Sequence, residues 1–185
     1  MTKRNDQRIL NSFIKLLYKY FGSRSDYLIE WLSRVVQGMS VNRALMINDC
    51  SFSHAFTKKF IRLLQKVSDT FKILYLIREE RQPPMNKSEG LLSLDLLHMM
   101  VTHDITKFGL RWGSLMNSNC IIVNPYSNYL HHEVNSSGCF VVINVTEMYR
   151  SLSLENKIIK KYIIIKHSID LPLAFKEFLM LYHPD

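Results

Sequence analysis

Along residues 6–21, apolar side chains recur three and four positions apart. Ile9, Phe13, Leu16, Leu17, Tyr20 and Phe21 share one face of a helix, and Arg8, Asn11, Ser12, Lys15 and Lys19 share the opposite one. Gly22 supplies a left-handed stop. A second helix is expected from an Asp26 cap through Gln37. Its inward positions are Leu28, Ile29, Trp31, Leu32, Val35 and Val36, and Gly38 ends it. Ser40 can cap a short third helix carrying Val41, Ala44, Leu45 and Ile47. Ser51 or Ser53 opens a longer fourth one, with Phe56, Phe60, Leu63, Leu64 and Val67 inward and Lys58, Lys59, Arg62 and Lys66 outward. The run Phe71–Ile77 either continues that helix or begins a strand, because so short an apolar run has no diagnostic period.

Arg78 to Gly90 is the clearest break in the pattern. It is polar, and the Pro83-Pro84 pair forbids helix continuation. A helical basic region over 1–80 and an α+β region over 91–185 would meet at the loop 81–90, as two parts or as one compact domain. Leu91 to Val101 reads as an apolar helix, and Asp104 to Leu115 as a shorter one punctuated by Gly109 and Gly113. The character then turns to β. Cys120–Val123, Cys139–Val145 and residues 157–166 are rich in Ile and Val. Asp170 followed by Pro172 signals the start of a closing helix, Leu173 to Tyr182. The expected fold class is α+β: a helical N-terminal half packed against a small sheet with flanking helices. An antiparallel sheet is expected, because few helices separate the strands.

Length and composition narrow the class. At 185 residues and 21.8 kDa, the chain suits one domain or two small ones. A hydrophobic share of 47% excludes wholesale disorder. No apolar run reaches the roughly 18–20 residues of a membrane span. Cys50, Cys120 and Cys139 are widely spaced, with no CxxC pair, which reads as reduced thiols and an intracellular protein of nucleus or cytoplasm.

Charge adds the main functional hint. The formal net charge is +8, and residues 1–80 hold 14 Lys/Arg against 7 Asp/Glu, whereas residues 81–185 hold 10 against 9. The surplus therefore sits in the first half and points to an acidic partner: nucleic-acid backbone, anionic lipid or an acidic protein face. The helices expected to flank Gln37-Gly38-Met39-Ser40 suggest a helix-turn-helix within residues 27–66. The stretch Asp49–Phe60 offers a second turn. Over about a dozen residues it resembles the second helix-turn-helix of AraC-type regulators, but the small residue that motif needs near Arg34 is absent, and no family is assigned.

Other chemistry is thinner. His98, His103, Asp104, Cys120, His131, His132 and Cys139 are ligand types, but their spacing matches no compact zinc arrangement, and no metal or cofactor is expected. Cys120 or Cys139 with His103 or His131 could form a nucleophile–base pair only if the fold brings them together. No GxSxG, HExxH or phosphate-cradling glycine loop is present, so an enzyme is not expected. Trp112 with Arg111, between Gly109 and Gly113, is a candidate partner anchor. The leading expectation is a nucleic-acid-associated accessory protein, holding DNA or RNA phosphates through Arg8, Lys15, Lys19, Lys58, Lys59, Arg62 and Lys66. The alternative is a protein-interaction or membrane-associated subunit of a larger assembly, with no nucleic-acid contact.

Overall fold

The computed structural model describes residues 3–49, 54–77, 89–93, 97, 119–126, 140–145 and 170–184. Helix α1 (Lys3–Phe21) ends in a 3-10 turn (Gly22–Arg24) and passes into α2 (Ser25–Val36). Then follow β1 (Ala44–Asn48), α3 (Ala55–Val67), β2 (Lys72–Ile77), β3 (Glu89–Ser93), β4 (Cys120–Asn124), β5 (Phe140–Asn144) and α4 (Leu171–Leu181). The expected helical N-terminal region packed on a sheet is present.

The sheet itself corrects the expectation of antiparallel strands. Its five strands lie in the order β3-β2-β4-β1-β5, and every pairing is parallel. Helix α3 is the crossover from β1 to β2. Residues 94–119 separate β3 from β4, and residues 125–139 separate β4 from β5, enough chain for the dozen or more residues a parallel return needs. Counting recognisable helices misjudged that length. β4 is inserted between β1 and β2, so strands from both sides of the proline break share one sheet.

Two further elements differ from the pattern reading. The helix expected after Ser40 is strand β1, and all five of its residues are buried. A strand covered on both faces reads as a continuous apolar run and carries no alternation. The helix expected from Leu91 begins as β3, which also takes Glu89 and Gly90 from the expected loop. Phe71–Ile77 resolves to strand β2. The expected Asp104–Leu115 helix and the strand at 157–166 lie outside the described residues.

Alternation along the strands divides the core into two layers. Leu45, Ile47, Ile73, Ile121, Val123 and Ile143 face one cluster, to which all four described helices contribute. Ala44, Met46, Leu74, Leu76, Cys120, Ile122 and Val142 face the opposite layer, with Leu92 and Leu97. On the helical side, α4 packs against α1, α2 and α3. Phe13 meets Phe175 edge-on, with centroids 5.2 Å apart. The end of α1 meets the start of α3 through aromatic rings: Tyr20–Phe56 at 4.1 Å and Phe21–Phe60 at 5.3 Å. Burying each such ring contributes about 1.5–3 kcal/mol, and this is what fixes α1 and α3 on the same side of the sheet.

Helix ends are closed by specific bonds. Gly38 stands at φ 74°, with Met39 N–H donating to Arg34 O (2.8 Å) and Gly38 N–H to Val35 O (3.1 Å). This is the paired-bond glycine stop expected there. Asp170 caps α4 by accepting from the Leu173 N–H at 3.2 Å, as its sequence signal implies. The other end of α4 is closed from α2. Gln37 Nε2 donates to Leu179 O (2.9 Å) and Tyr182 O (3.0 Å), and Ser33 Oγ donates to Leu179 O (2.6 Å). Asp26 lies in the first turn of α2, not at its cap, and accepts a hydrogen bond from Tyr18.

Candidate functional site

Strand β1 followed by α3 presents two kinds of polar group, one along the crossover helix, which starts at the carboxyl edge of the sheet and runs back towards β2, and one at that edge itself. The first is a set of cations. Lys58, Arg62 and Lys66 recur every fourth residue along α3, so they share one face, and all three are exposed. Lys59 is half-buried beside them, and Ala55–Val67 contains no carboxylate. On α1, Arg8, Lys15 and Lys19 are exposed opposite the buried Leu10, Phe13, Leu16 and Leu17. The aromatic contact of Tyr20 and Phe21 with Phe56 and Phe60 joins the Lys19 end of α1 to the Lys58 end of α3. Arg8 lies eleven residues before Lys19, about 16 Å along the helix. The structure thus joins the two helix ends and leaves Arg8 at the far end of α1.

The expected helix-turn-helix is not formed. The Gln37–Ser40 turn leads into β1, and the second turn joins a strand to α3. The likeness of Asp49–Phe60 to a regulator motif fails for the same reason, since a strand stands where that motif has a helix. The cations of α3 therefore project from a strand–helix crossover.

The second set of groups ends the strands. Each of β1, β4 and β5 closes on asparagine, and the parallel register places Asn48 beside both Asn124 and Asn144. Asn124 Nδ2 donates to Asn48 Oδ1 and Asn48 Nδ2 donates to Asn144 Oδ1, both at 2.9 Å. Asn124 Oδ1 accepts from the Tyr126 N–H, also at 2.9 Å. These side chains alternate with Ile47, Val123 and Ile143, so they lie on the face opposite the four helices.

Asp49, one residue on, faces the helices. Its buried carboxylate accepts hydrogen bonds from Tyr20 of α1 (3.3 Å) and from Thr57 of α3. It thereby ties β1 to both cation-bearing helices. His54 precedes α3 in the left-handed region, at φ 51°, and makes no side-chain cap bond. Its Nδ1 is buried, forms no hydrogen bond among the described residues, and lies 3.7 Å from Asp49 Oδ1. The ring as a whole stays 27% exposed. A β-carbon in this conformation costs roughly 1–2 kcal/mol, and such positions concentrate where a site or a clamp is built. The carboxyl edge of an open parallel sheet is also where such sheets receive ligands. The residue at the cap position of α3 is His54, and the expected openers Ser51 and Ser53 lie outside the described residues.

Cys120 is buried in β4, and desolvation pushes its thiol up to about 12 despite the nearby Lys72. It stays protonated at neutral pH, which suits neither a nucleophile nor a metal ligand. Among the described residues, no three of His, Cys, Asp or Glu gather as a metal site. Cys50, His98, His103, Asp104, Arg111, Trp112, His131, His132 and Cys139 lie outside the described residues. No helix among the described residues is long and apolar enough to cross a membrane. Compared with protein-family models, curated proteins and solved structures, the chain matches none.

Sequence reasoning found the cations and missed Asn48, Asp49, His54, Thr57, Asn124 and Asn144 as a group. A signal was present. Ala44–Asn48, Cys120–Asn124 and Phe140–Asn144 are each four apolar residues closed by asparagine.

Proposed function

We propose that the protein is a non-enzymatic, nucleic-acid-associated accessory factor that holds phosphate backbone along α3, with α1 flanking. The supporting observation is the exposed Lys58–Arg62–Lys66 row on a helix without carboxylates. Like charges four residues apart destabilise a helix by about 0.2–0.5 kcal/mol per pair. The row therefore carries a cost that the fold does not require. A polyanion laid along it relieves that repulsion and gains entropy from released counterions. Asp49, by joining α1 and α3 to β1, holds both cationic helices in place for such a partner.

The test is fluorescence anisotropy with labelled duplex DNA, single-stranded DNA and RNA across a salt series. Binding is expected at low salt, with affinity falling steeply as salt rises. Replacing Lys58, Arg62 and Lys66 together by Gln should make the duplex log–log salt slope shallower by about 2–3, near 0.9 per lost phosphate contact. No binding at low salt, or an unchanged slope in the triple variant, would end this reading.

A further inference from the structure

A groove of about 590 Å³ lies between the first turns of α1 and the outer side of α4. Leu10, Phe178 and Leu181 give it apolar walls, and Asp6 and Glu177 supply carboxylates from its two sides. Among the described residues no Lys or Arg lines it, although His183 does and the chain as a whole carries +8. Asp6 is half-buried at this wall, and its Oδ1 is shielded from solvent without a hydrogen-bond partner among the described residues. The apolar wall continues along α4. Leu173, Met180 and Leu181 are exposed, Leu181 to 78%, and with Glu177 they repeat at the spacing of one helix face. Helix α4 is held by its caps and by Phe175 and Leu179 in the core, so this outer row is not needed to fold it. Exposed apolar rows beside a groove are the usual mark of helix docking, and opposite charge at the rim sets which partner is admitted.

We propose that the α1–α4 groove docks a basic amphipathic helix of a partner protein. Apolar residues of the partner would cover Leu181, Met180 and Phe178. A Lys or Arg on its flank would reach Asp6 and Glu177. No α3 residue lines this groove, and its two carboxylates are opposite in sign to the α3 cations, so the protein would join a polyanion to a basic protein segment.

The probe is a synthetic amphipathic peptide of Leu and Lys, set against its counterpart of Leu and Glu. Both are titrated into the full chain, followed by anisotropy and by methyl NMR shifts of Leu10, Ala174 and Leu181. The Leu/Lys peptide is expected to bind at least about tenfold more tightly and to shift those three methyls. Glu177→Lys and Leu181→Gln, both at exposed positions, should each weaken it by about tenfold, while Lys58→Glu leaves it unchanged. Circular dichroism of each variant checks that the fold is retained. Equal binding of the two peptides overturns the proposal, as does a shift pattern centred on α3 or the absence of binding. Concentration-dependent dimerisation that Leu181→Gln abolishes would also overturn it, because the groove would then belong to a second copy of the chain.

Discussion

Strand β1 is entered and left through the same unusual backbone conformation, handled in two different ways. At its amino end the chain turns at Gly38, φ 74°, and a β-carbon there would meet nothing within 4 Å. At its carboxyl end it turns at His54, φ 51°, whose side chain sits against Asp49. The first turn omits the side chain that the conformation disfavours. The second keeps one and accepts the strain. A turn that only redirects the chain is served by glycine. A strained histidine persists only where its surroundings hold it in place. At this end the neighbour is Asp49, 3.7 Å from the ring and itself held by Tyr20 and Thr57.

The contrast can be broken at three positions. Asp49→Ala should have the largest effect, about 3 kcal/mol lost in chemical denaturation. It removes the acceptor shared by Tyr20 and Thr57 and loosens α1 and α3 together. A loss below about 1 kcal/mol would show that the carboxylate does not bind the elements together. Gly38→Ala should cost about 1–2 kcal/mol, all of it from the backbone, since there is space for the methyl group. His54→Gly should be the mildest. Relief of strain, worth roughly 1–2 kcal/mol, is set against the lost contact with Asp49 and the greater freedom of glycine in the unfolded chain, giving a net change within about 0.5 kcal/mol by thermal denaturation. If that variant is instead destabilised by more than about 2 kcal/mol, His54 is structural and the contrast with Gly38 disappears.

What the sequence made legible follows from the same local physics. Helices α1, α2, α3 and α4 are amphipathic or capped, and Gly22, Gly38 and Asp170 mark their limits within a few residues. Strands β1 and β3 were hidden because five apolar or mixed residues have no period that separates a strand from a helix turn. Parallel pairing was hidden because it depends on which distant strands adjoin, as when β4 enters between β1 and β2. The outward cations could be read from spacing alone. The junction at Asp49 could not, because Tyr20 and Thr57 lie twenty-nine and eight residues away in the chain and meet it only after β1, α1 and α3 have packed.

The asparagine row also bears on how the sheet finds its alignment. Ile, Val and Leu along β1, β4 and β5 can slide past one another with little loss, because one branched side chain substitutes well for the next. Amides cannot. If β4 slipped by one residue against β1, Asn124 would face the other way, and Asn48 would lose its donor in an apolar layer. The three side chains thus act as an index mark across otherwise interchangeable strands. The penalty for misalignment is concentrated at the rim that faces any incoming ligand.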